Sequence, residues 1–223
     1  KNCVDVVKNN AATIVRDVAI KQINKATLEL NSFSQIIHPY NIFVEEGAIL
    51  ENCILNASEG PIYIAKNSKI MDGAILRGPI FIDEGSIVKM GSTIYGGTSI
   101  GKKCVVGGEI KNSIINNFSN KAHHGYLGDS IIGKWCNLGA DTNNSNLKNN
   151  YATVKLWHYE TGRFANTGLQ FCGLIMGDHS KCGINTMFNT GTVIGVSANI
   201  FGSGFPRNFV PSFSLGGATG FTT

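Results

Sequence analysis

Apolar residues recur at every sixth position from Ile64 through Ile70, Leu76, Ile82, Val88, Ile94 and Ile100 to Val106, with polar residues and glycine between them. A helical face repeats at about 3.6 residues and a strand face at about 2. A period of six therefore needs a coil in which straight segments and corners recur together. The pattern predicts an all-β chain folded as a single-stranded parallel β-helix of hexapeptide repeats. The same register returns at Tyr126, Ile132 and Leu138, and again at Met176, Cys182, Phe188, Ile194 and Ile200, so one solenoid is interrupted twice. Gly73, Gly85, Gly91 and Gly101 fall near the corners, where positive φ is tolerated best by glycine.

Outside the hexads the periodicity changes. Val4, Val7, Ala11, Ile14, Val15 and Val18 follow helical spacing, which predicts an amphipathic N-terminal α-helix over about residues 3 to 25. Residues 28 to 41 read as irregular, and Val44 and Leu50 give the first weak hexad. Ser58-Glu59-Gly60-Pro61 then shifts the register by two, as a small corner insertion would. Between Leu138 and Met176 lies a polar stretch followed by Lys155, Trp157, His158, Tyr159 and Arg163. This reads as a loop over about 141–167 thrown out of the coil, the kind of segment that often carries function. The expected organisation is a helix and linker over 1–41, the β-helix over 42–204 and a tail over 205–223. Because the chain begins at Lys1, a further domain is expected before it.

With 223 residues, 43% hydrophobic and 15% charged, the chain can bury a continuous core along the axis of a coil. The net charge of +4 is scattered rather than gathered into a stripe, which argues against nucleic acid and is compatible with a small phosphorylated ligand. Six cysteines lie far apart with no C-x-x-C pair, so neither a zinc cluster nor a redox motif is indicated. Cys104, Cys136 and Cys182 fall within repeats and read as small hydrophobes. With no apolar run long enough to span a bilayer and no export signal, no membrane partner is expected and a reducing cytoplasm is the expected location.

The chemistry gathers at Glu109-Ile110-Lys111-Asn112 and Asn120-Lys121-Ala122-His123-His124-Gly125-Tyr126-Leu127-Gly128-Asp129, followed by Asn137, Gly139 and Asn146. This ordered set resembles the acetyltransferase half of the bacterial bifunctional N-acetylglucosamine-1-phosphate uridylyltransferase/glucosamine-1-phosphate acetyltransferase family. The helix before the coil and the Gly-Phe-Pro-Arg-Asn-Phe segment after it resemble more closely the Bacteroidetes-type sugar nucleotidyltransferase-like proteins. The resemblance covers about residues 44 to 200. It implies a left-handed coil, against the usual preference for right-handed crossovers. It also implies a homotrimer, acetyl-CoA as cosubstrate, an amino-sugar phosphate or nucleotide amino sugar as acceptor, and a preceding nucleotidyltransferase domain, with magnesium only if that domain is active. Coenzyme contacts are implied at Asn185, within Gly183-Ile184-Asn185-Thr186, and at Arg207.

Acyl transfer to an amine needs the amine neutral, and a histidine can take its proton. His123 is the candidate base, with His124 its rival. Glu109 is the candidate to orient the imidazole, and Asn146 to hold the amine or polarise the thioester carbonyl. Lys111, Tyr126, Asn137 and Lys155 are the candidate acceptor contacts, with Arg163 beside Lys155 in the loop. Plainer readings stand beside these. Tyr126 lies on the apolar register and would be a wall residue, Asn137 and Asn146 would be left-handed corner asparagines, and Glu109 and Lys111 a surface ion pair. Two other functions remain open. One is a non-catalytic coil that binds a sugar nucleotide or trimerises an attached domain. The other is a metal enzyme like the γ-carbonic anhydrases, which adjacent strand histidines suit poorly because they point to opposite faces.

Overall fold

The computed structural model describes residues 3–20 and 34–222. The chain winds as a three-sided parallel β-helix. Its first face begins at Gln35–Ile37 and runs through Ile54–Asn56, Ile75–Arg77, Thr93–Ile94 and Glu109–Lys111 to Tyr126–Gly128. The second stacks nine strands from Ile42–Val44 to Phe209–Val210, and the third carries Ile49–Leu50 through Leu215–Gly217. The hexad residues from Ile64 to Val106 occupy the second, third and first faces in rotation, and each is at most 1% exposed. Three hexads make one turn of 18 residues, as from Leu76 to Ile94. Burial of these columns is the main favourable term holding the coils together.

Corners are held by small side chains. Along one inner edge, the hydroxyls of Ser68, Ser86, Ser119 and Ser180 donate to carbonyls at Asp83, Gly101, Gly133 and Gly195, at 2.9, 2.6, 2.7 and 2.7 Å. Cys104 and Cys136 join them through their thiols, reaching Asn116 and Gly177 carbonyls at 3.1 and 3.2 Å. Corner carbonyls, which no strand can pair, are thereby satisfied inside the prism. Gly73, Gly85 and Gly91 have positive φ as corners require. Gly101 does not, and is glycine because a Cβ there would strike Asn117.

The regular period lapses after Val106. Only Gly107 and Gly108 separate Val106 from Glu109, so the first-face interval falls to 16 residues between Ile94 and Ile110; a five-residue step from Ile110 to Ile115 then makes the next interval 17, to Leu127. The shift places Leu127 inward and turns Tyr126 outward, so Tyr126 is not a wall residue. The chain leaves the coil after Asn144 rather than at Asp141, because Asn143–Asn144 pair with Met187–Phe188 and extend the first face. The excursion carries the antiparallel hairpin Lys155–His158/Arg163–Asn166 and returns at Ile175. The segment expected as a tail adds strands to the second and third faces and closes with Gly220–Thr222. The coil also starts before residue 42, since Gln35–Ile37 already pairs with Ile54–Asn56.

The N-terminal helix spans Val4–Ile20; the expected residues beyond it, to 25, lie outside the described set. It crosses the outside of the second face. Val4 packs with Val154, Leu156, Cys172 and Val193, while Ile14 and Val18 pack on Tyr63 and Ala65. Midway, the buried Asn10 donates to the Gly97 carbonyl at 2.7 Å and accepts from the Ser99 hydroxyl at 3.0 Å.

Candidate functional site

Four side chains converge where the first face divides. Asp129 sits at a left-handed corner position (φ 50°) one coil after Asn112 (φ 44°). Its carboxylate accepts from Asn112 Nδ2 at 2.7 Å and from Asn146 Nδ2 at 2.6 Å. Asn146 Nδ2 also donates to the Tyr126 hydroxyl at 2.9 Å. A carboxylate can only accept, so the Asn146 carboxamide is oriented with Nδ2 toward Asp129 and its oxygen left as an acceptor. Tyr126 reaches this network because its ring lies over Gly128, where any Cβ would collide with the phenol oxygen.

The division itself is built by asparagines. Tyr126 and Gly128 donate main-chain N–H to Asn143 Oδ1 and Asn144 Oδ1 at 2.8 and 2.9 Å, and Asn144 Nδ2 returns a bond to the Gly128 carbonyl at 3.0 Å. Side-chain amides thus stand in for a strand across one coil.

Burial, with the negative charges of Asp129 and Glu109, pushes the Tyr126 phenol up to about 12. It keeps its proton at neutral pH and can donate to a ligand. Glu109 pairs in register with Tyr126 on the adjacent coil, and both Glu109 and Lys111 are exposed. No ion pair joins Glu109 to Lys111 among the described residues. Lys111 opens onto a groove of about 690 Å³ between the first face and the helix, lined also by Arg77, Thr93, Tyr95 and Asn112. Arg77, paired with Glu59 at 2.8 Å, is a basic residue of this groove that sequence reasoning missed.

His123 and His124 lie on the corner leading from the third face to the first, separated from Tyr126 by Gly125, and both are exposed. They occupy a turn and not a strand, so the opposite-faces argument does not apply to them. No hydrogen bond joins Glu109 to either imidazole among the described residues. Among those residues no three of His, Cys, Asp and Glu converge as metal ligands.

The remaining expected contacts are placed apart from this group. Asn137 projects from the third face, paired in register with Asn120 and Lys181, whereas Tyr126 lies on the first. Neither Asn137 nor Asn146 has positive φ; Asn112, Asp129, Asp141 and Asn185 take those corner conformations instead. Lys155 and Arg163 are exposed on the hairpin, which packs over the second face through Val154 and Leu156. Asn185 shares the histidines' edge of the prism, its N–H donating to the Ala140 carbonyl at 2.8 Å. Beside it the apolar Ile184 is 70% exposed and Phe201 50%. Arg207 is exposed near the last coil.

Asp129 and Asn112 were not among the expected contacts, although their spacing carries the signal. Lys111-Asn112 and Gly128-Asp129 are one 17-residue coil apart, which stacks them.

Comparison with known proteins gives the ancestry. The bifunctional protein GlmU of Methanococcus aeolicus is 30% identical over 203 residues, covering 79% of this chain and 45% of that protein. That of Synechococcus elongatus is 28% identical over 166 residues, covering 72% and 32%. The chain is a hexapeptide-repeat relative of the GlmU-type bifunctional proteins. The bifunctional sugar-1-phosphate nucleotidylyltransferase/acetyltransferase of Sulfurisphaera tokodaii is also similar, 29% identical over 183 residues and covering 73% and 43%. The chain thus spans from 32% to 45% of the length of these relatives. No family model matches it. A crystallographic structure of the polysialic acid O-acetyltransferase OatWY covers 85% of each chain at 13% identity and a TM-score of 0.35, too loose a match to add weight. No described helix is long and apolar enough to cross a membrane.

Proposed function

We propose that the chain is the acyl-transferring part of a sugar-nucleotide enzyme, moving an acetyl group from acetyl-CoA to the amine of an amino-sugar phosphate or nucleotide amino sugar. The observation that carries this reading is the network of Tyr126, Asn146, Asp129 and Asn112 directly after the exposed His123–His124 corner. A histidine of that corner takes the proton from the attacking amine. The Asn146 carboxamide oxygen, whose orientation Asp129 sets, accepts from the same amine and aims its lone pair. Tyr126 donates to the acceptor, and Lys111 with Arg77 supplies positive charge for its phosphate in the groove. Glu109 acts on the acceptor side through Tyr126 rather than through the imidazole.

The exposed Ile184 and Phe201 continue the histidines' edge toward the C-terminal coils and suit the pantetheine arm, with Asn185 beside the thioester. Arg207 is assigned to the coenzyme phosphates. A homotrimer would bring Asn137 and the hairpin's Lys155 to a neighbouring site, and sedimentation at three times the 23.9 kDa chain mass is expected. The name of the Sulfurisphaera tokodaii relative, which pairs sugar-1-phosphate nucleotidyl transfer with acetyl transfer, supports the substrate class. Thiol release from acetyl-CoA, followed over a panel of amino sugars that includes glucosamine 1-phosphate, tests the activity. Acceptor-dependent release is expected; none with any amine would leave the chain a binding or trimerising coil.

A further inference from the structure

The inward column of the third face reads Leu50, Ile70, Val88, Val106, Lys121, Leu138, Cys182 and Ile200. One member is a lysine, and it is 2% exposed. Its Nζ donates to the main-chain carbonyls of Gly107, His123 and His124 at 3.0, 2.8 and 3.4 Å. An ammonium has three N–H donors, and all three are used.

The corners explain why a charge is placed there. In the regular corners from the third face to the first, four residues intervene and the fourth is small: Ala74, Ser92, Thr142 or Thr186. The hydroxyls of Ser92, Thr142 and Thr186 donate to the carbonyls of Lys89, Gly139 and Gly183 at 2.6, 2.8 and 2.8 Å. Like the Ala74 corner and the three-residue Glu51–Cys53 corner, two consecutive corners lack this hydroxyl. The Gly107-Gly108 corner is two residues short, and in the histidine corner Gly125 stands where the hydroxyl belongs. Their inward carbonyls have no hydroxyl to meet, and buried main-chain acceptors are almost always satisfied. Lys121 supplies the missing donors for both corners at once.

We propose that Lys121 is a positioning residue: its buried ammonium, bound to the main-chain carbonyls of both histidines, fixes the turn that presents their imidazoles. Methionine would fill the column as well as its apolar neighbours do, yet it would leave the Gly107 and His123 carbonyls open and His124's held by the Asp141 N–H alone, at 3.1 Å. The turn would then rotate toward water and carry the rings with it. Glutamine retains two N–H donors at shorter reach.

The test compares the full chain with Lys121→Met and Lys121→Gln by the ring resonances of the five histidines and by thiol-release kinetics; the kinetic arm rests on the acyl-transfer reading above. In Lys121→Met the His123 and His124 ring signals are expected to move while those of His38, His158 and His179 stay. The turnover number is expected to fall about 10- to 100-fold with KM for acetyl-CoA within about twofold, and Lys121→Gln to recover part of the loss. Unmoved His123 and His124 signals in a folded Lys121→Met protein would overturn the proposal. If that variant does not fold, the same signals unmoved in Lys121→Gln would overturn it. If the unaltered chain transfers no acyl group, the functional reading fails and the ring signals alone decide the clamp.

Discussion

Gly128 and Tyr126 act as one unit, because the phenol can cross to Asn146 only over a residue without a Cβ. Gly128→Ala is therefore expected to displace the ring, free the Asn146 amide and lower turnover about 100-fold, with the acceptor KM rising. Steady-state kinetics beside a crystal structure of the variant would check this; unchanged kinetics with the ring in place would contradict it. Lys121 makes a second prediction. Burial lowers its ammonium from 10.5 to about 8, with the charges of Asp141 and Cys182 opposing. Between those values the unfolded chain holds a proton that the folded chain has lost, so raising the pH stabilises the fold; below about 8 both states are protonated and the burial cost is present in full. Burial raises the thiols of Cys104, Cys136, Cys172 and Cys182, which acts in the opposite sense at alkaline pH. The difference in urea stability between the unaltered chain and Lys121→Met removes the contribution of Cys104, Cys136 and Cys172 and leaves Lys121 with its coupling to Cys182. It is expected to shift in favour of the lysine from about pH 7.5 to about pH 9.5, and a flat difference would refute the assignment.

At the scale of elements, the N-terminal helix is tied to the prism by packing at both ends and by one polar contact in the middle. Asn10→Ala removes a donor from the Gly97 carbonyl and an acceptor from the Ser99 hydroxyl. Leaving such groups unmet in a buried place costs about 1–3 kcal/mol. Asn9→Ala, on the exposed side, is expected to cost no more than about 0.5 kcal/mol. Urea denaturation of the pair separates them, and equal losses would mean that Asn10 does not anchor the helix. The helix and the uninterrupted hexads were legible in the sequence because each rests on one unbroken period. The register at Tyr126 was not, since a two-residue corner at Gly107-Gly108 looks like any Gly-Gly turn until the coil beneath it is known. The strand Gln35–Ile37 and the final coil were missed for a similar reason: a three-residue strand carries too little alternation to stand out from irregular chain.

For the whole molecule, the coil converts sequence distance into stacking. Residues 16 to 18 apart become neighbours, which is how Asn112 meets Asp129 and how Tyr126 meets Glu109. Of the expected contacts, Lys111 lines the groove, Tyr126 and Asn146 join the network, and Glu109 stands in register with Tyr126 on the neighbouring coil, so the candidate site was legible in these residue types. Its wiring was not legible, since the partners of Asn146 depend on a sheet division made by Asn143 and Asn144. Asn137, read as part of the same site, faces away within one chain because a corner separates it from Tyr126. In the proposed reaction the His123–His124 corner provides the base for acyl transfer beside this network. Thiol release from acetyl-CoA with an accepted amino sugar, measured side by side for the unaltered chain, His123→Ala and His124→Ala, tests it most directly. One of the two variants is expected to lose about 10²- to 10⁴-fold in turnover while its melting temperature holds. Full activity in both would contradict the account.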